Sequence, residues 1–236
     1  MPTLDPENYA LARSDRARYL CALAAPRRKR DSVLTLLAFD QEIARIPKLV
    51  SEPSLGAIRL QWWLDALSVM AESSAPTHPI LKALAPLGLD VDGLRRLVEA
   101  RNFDLELAPV SMTCLQNYAL ATGGAFQALV LDLLGVVDPE VHQAARYIGA
   151  AATLANLMQG DTDIAPGVSA SQLKDKAEEW LEKAQNFDLS PLHKKSAQPI
   201  LLLAPLVKRR LTLGDGANET VAAVVRVWWG KATGRY

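Results

Sequence analysis

Four carboxylates and a larger set of cations are the side chains in this sequence best suited to chemistry on a charged ligand. Asp161 and Asp163 lie in the run NLMQGDTDIAPG, from Asn156 to Gly167. Together they could hold one hard divalent ion, since Mg²⁺ prefers carboxylate and phosphate oxygens. Residues two apart do not share a helix face, and Gly, Asp, Pro and Ser accumulate here as in a loop. Two solvated carboxylates are therefore the first reading, and a metal pair the second. Asp40 and Glu42 are the remaining candidates for catalysis. They point to different helical faces, which favours capping, pairing or solvent exposure over a shared catalytic role.

The cations divide into a run and several isolated groups. Arg27, Arg28, Lys29 and Arg30 are consecutive at a predicted helix start, where free N–H groups and the helix dipole favour anions. That makes a solvated basic cluster or, less simply, a phosphate cradle. Arg59 and Trp63 are four apart and could stack, and Gln61 can reach Asp65 on the same helix. Arg101 and Asp104 have the i, i+3 spacing of a helical ion pair.

The elements that must position these groups read as helices. Asp5 and Pro6 form an N-cap and first-turn proline for a helix to about Ala25. After Pro26 a second helix is predicted from Arg27 to Leu49, with Pro47 kinking it or ending it early. A third spans Ser54 to about Met70. Others are predicted near 80–84, 91–107, 113–134, 139–159, 170–186, 199–212 and 219–230. Val and Ile do not cluster in alternating runs, so a sheet has little to build from. Gly123 and Gly124, with the small series from Gly149 to Ala152, would let two helices approach closely or leave room for a ligand tail. Close packing is the preferred reading.

Half of the 236 residues are hydrophobic, enough for one substantial core, and a single all-α domain over 1–236 with a central cavity is the expected architecture. Twenty-six basic residues balance 26 acidic ones, so no global field draws the chain to nucleic acid or to an anionic membrane. Nucleic acid is not an expected partner. The two cysteines, Cys21 and Cys114, lie in apolar helical patterns and are expected to be buried free thiols of a reducing compartment. The three histidines are far apart and have no zinc-site spacing. The N-terminus lacks a secretory or transit pattern. The most continuous apolar run, from Pro199 to Val207, is far shorter than the roughly 20 residues of a membrane span. A cytoplasmic protein is expected, with peripheral contact at the inner membrane open to it. Lys208 to Arg210 with Trp228 and Trp229 could contact a membrane surface or partner, although capping the helix bundle is their simpler use.

The stretch LLAFDQEIARIPKLVSEPSLGAIRLQWWLDAL, Leu36 to Leu67, resembles the first two core helices of the squalene/phytoene synthase family. VEARNFDLELAP, Val98 to Pro109, and LQNYALATGGAF, Leu115 to Phe126, are similar to its middle helices, with Arg101, Asp104 and Tyr118 at the family's arginine, aspartate and tyrosine positions. The wording Glu42-Ile43-Ala44, Val50 to Glu52, Gly56, and Arg59, Gln61 and Trp63 is similar to a divergent branch of that family. That branch contains a mitochondrial complex I assembly factor and bacterial relatives.

The resemblance implies an isoprenoid synthase fold, and for an active member a prenyltransferase that condenses prenyl diphosphates with Mg²⁺ held by two aspartate-rich helices. Here Ala44, Arg45 and Lys48 stand where the first aspartate set belongs, and Gln159 and Gly160 replace the usual Arg-Asp of the second. Exchanging three carboxylates for two cations opposes metal binding, because one unit-charge pair at about 4 Å is worth roughly 4 kcal/mol at an effective dielectric of about 20. No cofactor is expected, and Mg²⁺ only if the chain is active. The reading is a family member without condensation chemistry that binds a protein client and has room for an isoprenoid or lipid. The alternative is an active prenyltransferase in which Asp40, Glu42, Asp161 and Asp163 hold metal while Arg27, Arg30, Arg45, Lys48 and Arg59 take phosphate oxygens. A third reading has Arg45 and Lys48 bind a diphosphate directly, without metal.

Overall fold

A computed structural model describes residues 5–72, 76–106, 111–158, 167–213 and Trp229. Among these residues there are helices and turns and no strand. The helices are α1 (Pro6–Ser14), α2 (Arg16–Ala22), α3 (Arg27–Ala44), α4 (Pro53–Ala71), α5 (Pro79–Leu84), α6 (Val91–Ala100) and α7 (Met112–Ala119). They continue with α8 (Ala125–Leu134), α9 (Pro139–Leu157), α10 (Ala170–Gln185), α11 (Pro191–Ser196), α12 (Gln198–Leu201) and α13 (Leu203–Leu213).

Helix α9 is the hub. It starts on a strong signal, Asp138 accepting from the N–H groups of Glu140 and Val141 with Pro139 in the first turn. Its buried residues, among them Ala144, Ala145, Gly149, Ala150 and Ala151, are small and wrap most of its circumference. A helix apolar nearly all round belongs in a core. Accordingly α7, α8, α10, α12 and α13 all pack on α9. The closest approach pairs Gly149 with Gly123. A Cβ on either glycine would overlap the other's backbone carbonyl. This is the close packing that the small residues predict, and Gly123 lies in a π turn, Leu120–Gly124, between α7 and α8.

A second layer is built on α3, whose Leu34, Leu36, Leu37, Ala38, Phe39 and Ile43 are buried. It contacts α1, α2, α5 and α8, while α4 packs on α6. Phe39 meets Trp63 of α4 edge to face at 5.5 Å, and Trp63 also touches Trp62 and His78. The ring contacts of Trp63 are thus with other rings, and Arg59 is exposed on α4 rather than seen stacked on it. Gln61 does donate to Asp65, at 2.8 Å.

Several boundaries differ from the sequence expectation for physical reasons. The first helix is broken at Asp15, in an extended conformation with φ −89° and ψ 90°, because its carboxylate caps α2 by accepting from Arg18 N. Helix α3 ends at Ala44 and passes into a 3₁₀ turn, Ile46–Leu49, at Pro47. The helix predicted over 91–107 tightens into a 3₁₀ turn at Arg101–Leu105. The 199–212 segment is divided between α12 and α13, and α11 was not foreseen. The helix predicted over 219–230 lies outside the described residues, apart from exposed Trp229. Cys21 is buried and Cys114 is exposed. The expectation of two buried thiols is corrected for Cys114, which sits in the first turn of α7, where its N–H is capped by Ser111 Oγ at 3.3 Å.

Candidate functional site: an arginine-lined cavity

A cavity of about 400 Å³ opens between α1–α2, α3, the π turn, α9 and α13. Leu157, Leu203, Leu206, Val207, Ala152 and Ala155 form apolar wall. Among the described residues its charged lining is Arg16, Arg18, Arg101 and Arg210, with the carboxylate of Asp15. Gln41, Tyr118, Gln127, Thr153 and Asn156 add neutral polar groups. The lining is about equally polar and apolar, and so more polar than the usual ligand pocket.

The polar side is braced by Asp40, which is fully buried on α3. Its Oδ1 accepts from Arg101 Nη2 at 2.9 Å. Its Oδ2 meets Arg18 Nη1 at 2.7 Å in an ion pair that is not aligned as a directed hydrogen bond. Arg18 also binds Asp15 Oδ2 through Nε at 2.7 Å and lies over the Phe126 ring at 4.6 Å. Arg101 donates to Tyr118 Oη at 2.8 Å and approaches Asp104 at 3.5 Å. Phe103 stacks on Tyr118 at 4.7 Å. Arg101 Nε is buried without a partner.

Burial opposes ionisation of Asp40, but the guanidiniums of Arg18 and Arg101 outweigh it and hold the carboxyl below the usual range. Burial also disfavours the charged form of Arg101, and Asp40, with Tyr118 and Asp104, more than compensates, so Arg101 remains a cation. Burial pushes the Tyr118 phenol and the Asp104 carboxyl upward. The Tyr118 phenol is accordingly neutral at ordinary pH.

The structure separates the sequence candidates sharply. Arg101 and Tyr118 are on the cavity wall, and Asp40 stands behind them, bound to Arg101. Ala44 and Gln41 are the α3 residues that line the cavity. One position of helix rotation takes Arg45 off that face, where it is half-exposed and pairs with Glu42 at 2.7 Å. Lys48 is exposed on the 3₁₀ turn. Arg27 is exposed at the start of α3, and Arg30 is half-buried there with its Nε unpartnered. Neither they nor Arg59, Arg45, Lys48 or Glu42 line the cavity. Arg45 and Lys48, read from the sequence as a cationic ligand face, lie outside this cavity. Asp161 and Asp163 lie outside the described residues.

Sequence reasoning missed Arg16, Arg18 and the role of Asp15, and it assigned Arg210 to the surface. A signal existed for two of them: an aspartate three residues before an arginine at a helix start can both cap and pair. Arg210, from α13, hydrogen-bonds Asn156 of α9, across 54 residues, and no local pattern announces that.

The fold family implied by the sequence uses Mg²⁺, and the donor set can be tested for it. Mg²⁺ is held by at least one or two carboxylates free to ligate it, together with water and phosphate oxygens. Among the described residues of this wall the carboxylate present, Asp15, is bound by Arg18, and both oxygens of Asp40 are taken by arginines. Among the described residues no group of three or more His, Cys, Asp or Glu side chains could hold a metal. These residues do not fit the ion.

The arrangement of helices matches solved structures along nearly their whole length. A dehydrosqualene synthase in complex with ligand aligns over 95% of this chain and 95% of its own, with a TM-score of 0.69 and 17% identity. Squalene synthase HpnC from Alicyclobacillus acidocaldarius aligns over 96% and 92%, with a TM-score of 0.60 and 17% identity. The class is therefore the all-α isoprenoid synthase fold. The squalene/phytoene synthase family model matches residues 11–161, and the chain belongs to that family.

Among curated relatives, NADH dehydrogenase (ubiquinone) complex I, assembly factor 6 of Mus musculus is 35% identical over 146 residues, covering 60% of this chain and 44% of the relative. The Homo sapiens protein of that name is 32% identical over 146 residues, with the same two coverages. The Drosophila melanogaster homolog is 31% identical over 155 residues, covering 61% and 46%. The chain thus spans less than half the length of these relatives.

Proposed function

We propose that this chain is a single-domain, non-condensing member of its family that works by binding a protein client, in the manner implied by the name of its complex I assembly factor relatives. The observation that carries the reading is Asp40. It is the acidic residue of α3 nearest the cavity polar groups, and two guanidiniums occupy its carboxylate. A side chain so committed cannot release an oxygen to a metal without weakening the compensation of two buried cations. The α3 face that does reach the cavity presents Gln41 and Ala44. Glu42, the other α3 candidate for metal binding, is paired with Arg45.

The likeness to relatives named for complex I assembly supports a client among complex I proteins. No described helix is long and apolar enough to cross a membrane. We place the chain in the cytoplasm, in peripheral contact with the inner membrane where such a client would be met. An isoprenoid or lipid in the cavity accompanies this function rather than undergoing condensation.

Two measurements test the reading. Purified protein incubated with farnesyl diphosphate and Mg²⁺ is expected to give no condensed product or released diphosphate above a no-protein control. Deleting the gene in its own host is expected to lower the amount of assembled complex I, with restoration by the chain. Mg²⁺-dependent turnover, or normal complex I after deletion, would overturn the proposal.

A further inference from the structure

The start of α3 carries four consecutive cations that neither the fold nor the cavity uses. We infer that Arg27, Arg28, Lys29 and Arg30 form the surface by which the chain meets an anionic lipid bilayer, a step that rests on the peripheral placement proposed above.

The first observation is that these charges are uncompensated. Arg27, Arg28 and Lys29 are exposed and Arg30 is half-buried. None of the four has an ion-pair or side-chain hydrogen-bond partner among the described residues, and the Nε of Arg30 is buried without one. Surface cations elsewhere are paired: Lys174 with Glu178, Lys176 and Lys183 with Glu179, Arg45 with Glu42 and Arg96 with Asp90. In a chain of balanced charge, the run sets four cations against one neighbouring carboxylate, Asp31.

The second is where they stand. The first turn of α3 holds no acidic residue, and Pro26 before it offers no side-chain cap. Cations there add to the positive end of the helix dipole, so the fold alone disfavours them, and an external negative surface offsets that cost.

The third is their direction. Successive helix residues turn by about 100°, so four of them ring about 300° of the axis. Side chains that diverge in this way do not converge on one small anion. They form a crown at the end of a helix, suited to an extended plane of phosphate groups, which attracts polybasic segments within a Debye length. Single-stranded nucleic acid is bound with the help of aromatic stacking, and α1, α2 and α3 carry no exposed aromatic residue. The crown also stands apart from the cavity, whose lining includes none of the four.

The test is sedimentation of the full chain with phosphatidylcholine vesicles and with vesicles containing about one-third phosphatidylglycerol. Binding is expected on the anionic vesicles only, with release as salt rises. Arg27→Gln with Arg28→Gln and Lys29→Gln should lower the partition coefficient on the order of a hundred-fold, about five-fold per cation. Lys174→Gln with Lys176→Gln and Lys183→Gln, on α10, changes net charge equally and should keep parental binding. Equal binding to neutral vesicles, parental binding by the α3 variant, or equal loss in both variants would overturn the inference. Release by inorganic phosphate but not by sodium chloride of the same ionic strength would also overturn it, in favour of a discrete anion site. Tighter binding to a uridine oligonucleotide than to vesicles would do so in favour of RNA. Failure on vesicles leaves the non-condensing, client-binding function standing, since that function is judged by turnover and by the amount of complex I.

Discussion

Arg101 Nη2 lies 2.9 Å from Asp40 Oδ1, joining residues 61 positions apart and holding the 3₁₀ turn after α6 against the C-terminal part of α3. Arg18 completes the bridge from α2. Three elements that border the cavity are thereby tied at one carboxylate, so its polar wall has a fixed shape before any ligand arrives.

Removing that carboxylate should be costly. Asp40→Asn leaves two buried guanidiniums facing a neutral amide, and breaking one side of a buried pair costs about 3–5 kcal/mol. Chemical denaturation should show a loss of that order. A change below about 1 kcal/mol would mean that the bridge is not a strong structural element.

The same pair sets an acid limit. The folded-state pKa of Asp40 is depressed, so its stabilisation is present above the ordinary carboxylate value and is lost as pH falls through the lower folded value. Unfolding free energy of the parent should fall on acidification below about pH 4, the ordinary range for aspartate. Asp40→Asn should lack this component, and parallel parent and variant profiles would contradict it.

His78 gives a separate dependence nearer neutrality. Its Nδ1 accepts from Ile80 N at 3.2 Å and caps α5, which requires an unprotonated nitrogen. Burial depresses its pKa, and the neighbouring Glu42 and Arg45 act in opposite directions. A depressed histidine makes the unfolded chain bind more protons, so stability should rise with pH from the folded value up to about 6.5 and then level. His78→Asn, which can also cap, should flatten the profile across that window. An unchanged slope would assign the effect elsewhere.

Gly149→Ala tests the contact between α9 and the π turn. The new methyl would meet the backbone carbonyl of Gly123, which cannot rotate aside like a flexible side chain. Overpacking of this kind costs about 1–3 kcal/mol. Thermal unfolding should report a clear drop, whereas parental stability would show that the two helices can separate without penalty.

Arg45→Ala with Lys48→Ala should leave both stability and ligand binding nearly unchanged. Arg45 is half-exposed in a surface pair and Lys48 is exposed. Surface substitutions of this type stay within about 0.5 kcal/mol. A loss above about 1 kcal/mol on chemical denaturation would give these two cations a structural role.

The sequence by itself determined the helical class, because apolar residues recur at helical spacing and Asp138, Ser169 and Pro139 mark starts that local hydrogen bonding enforces. It also favoured close packing at Gly123–Gly124 and at Gly149 to Ala152, though the structure alone pairs Gly123 with Gly149, and it showed the loss of carboxylates at Ala44, Arg45 and Lys48. Tertiary structure decided what replaced them. Ala44 faces the cavity, and one position of helix rotation turns Arg45 away from it. Arg18 and Arg101 meet Asp40 only when α2 and the 3₁₀ turn after α6 pack on α3, and Arg210 meets Asn156 only when α13 packs on α9; contacts between residues dozens of positions apart leave no periodic trace in the chain.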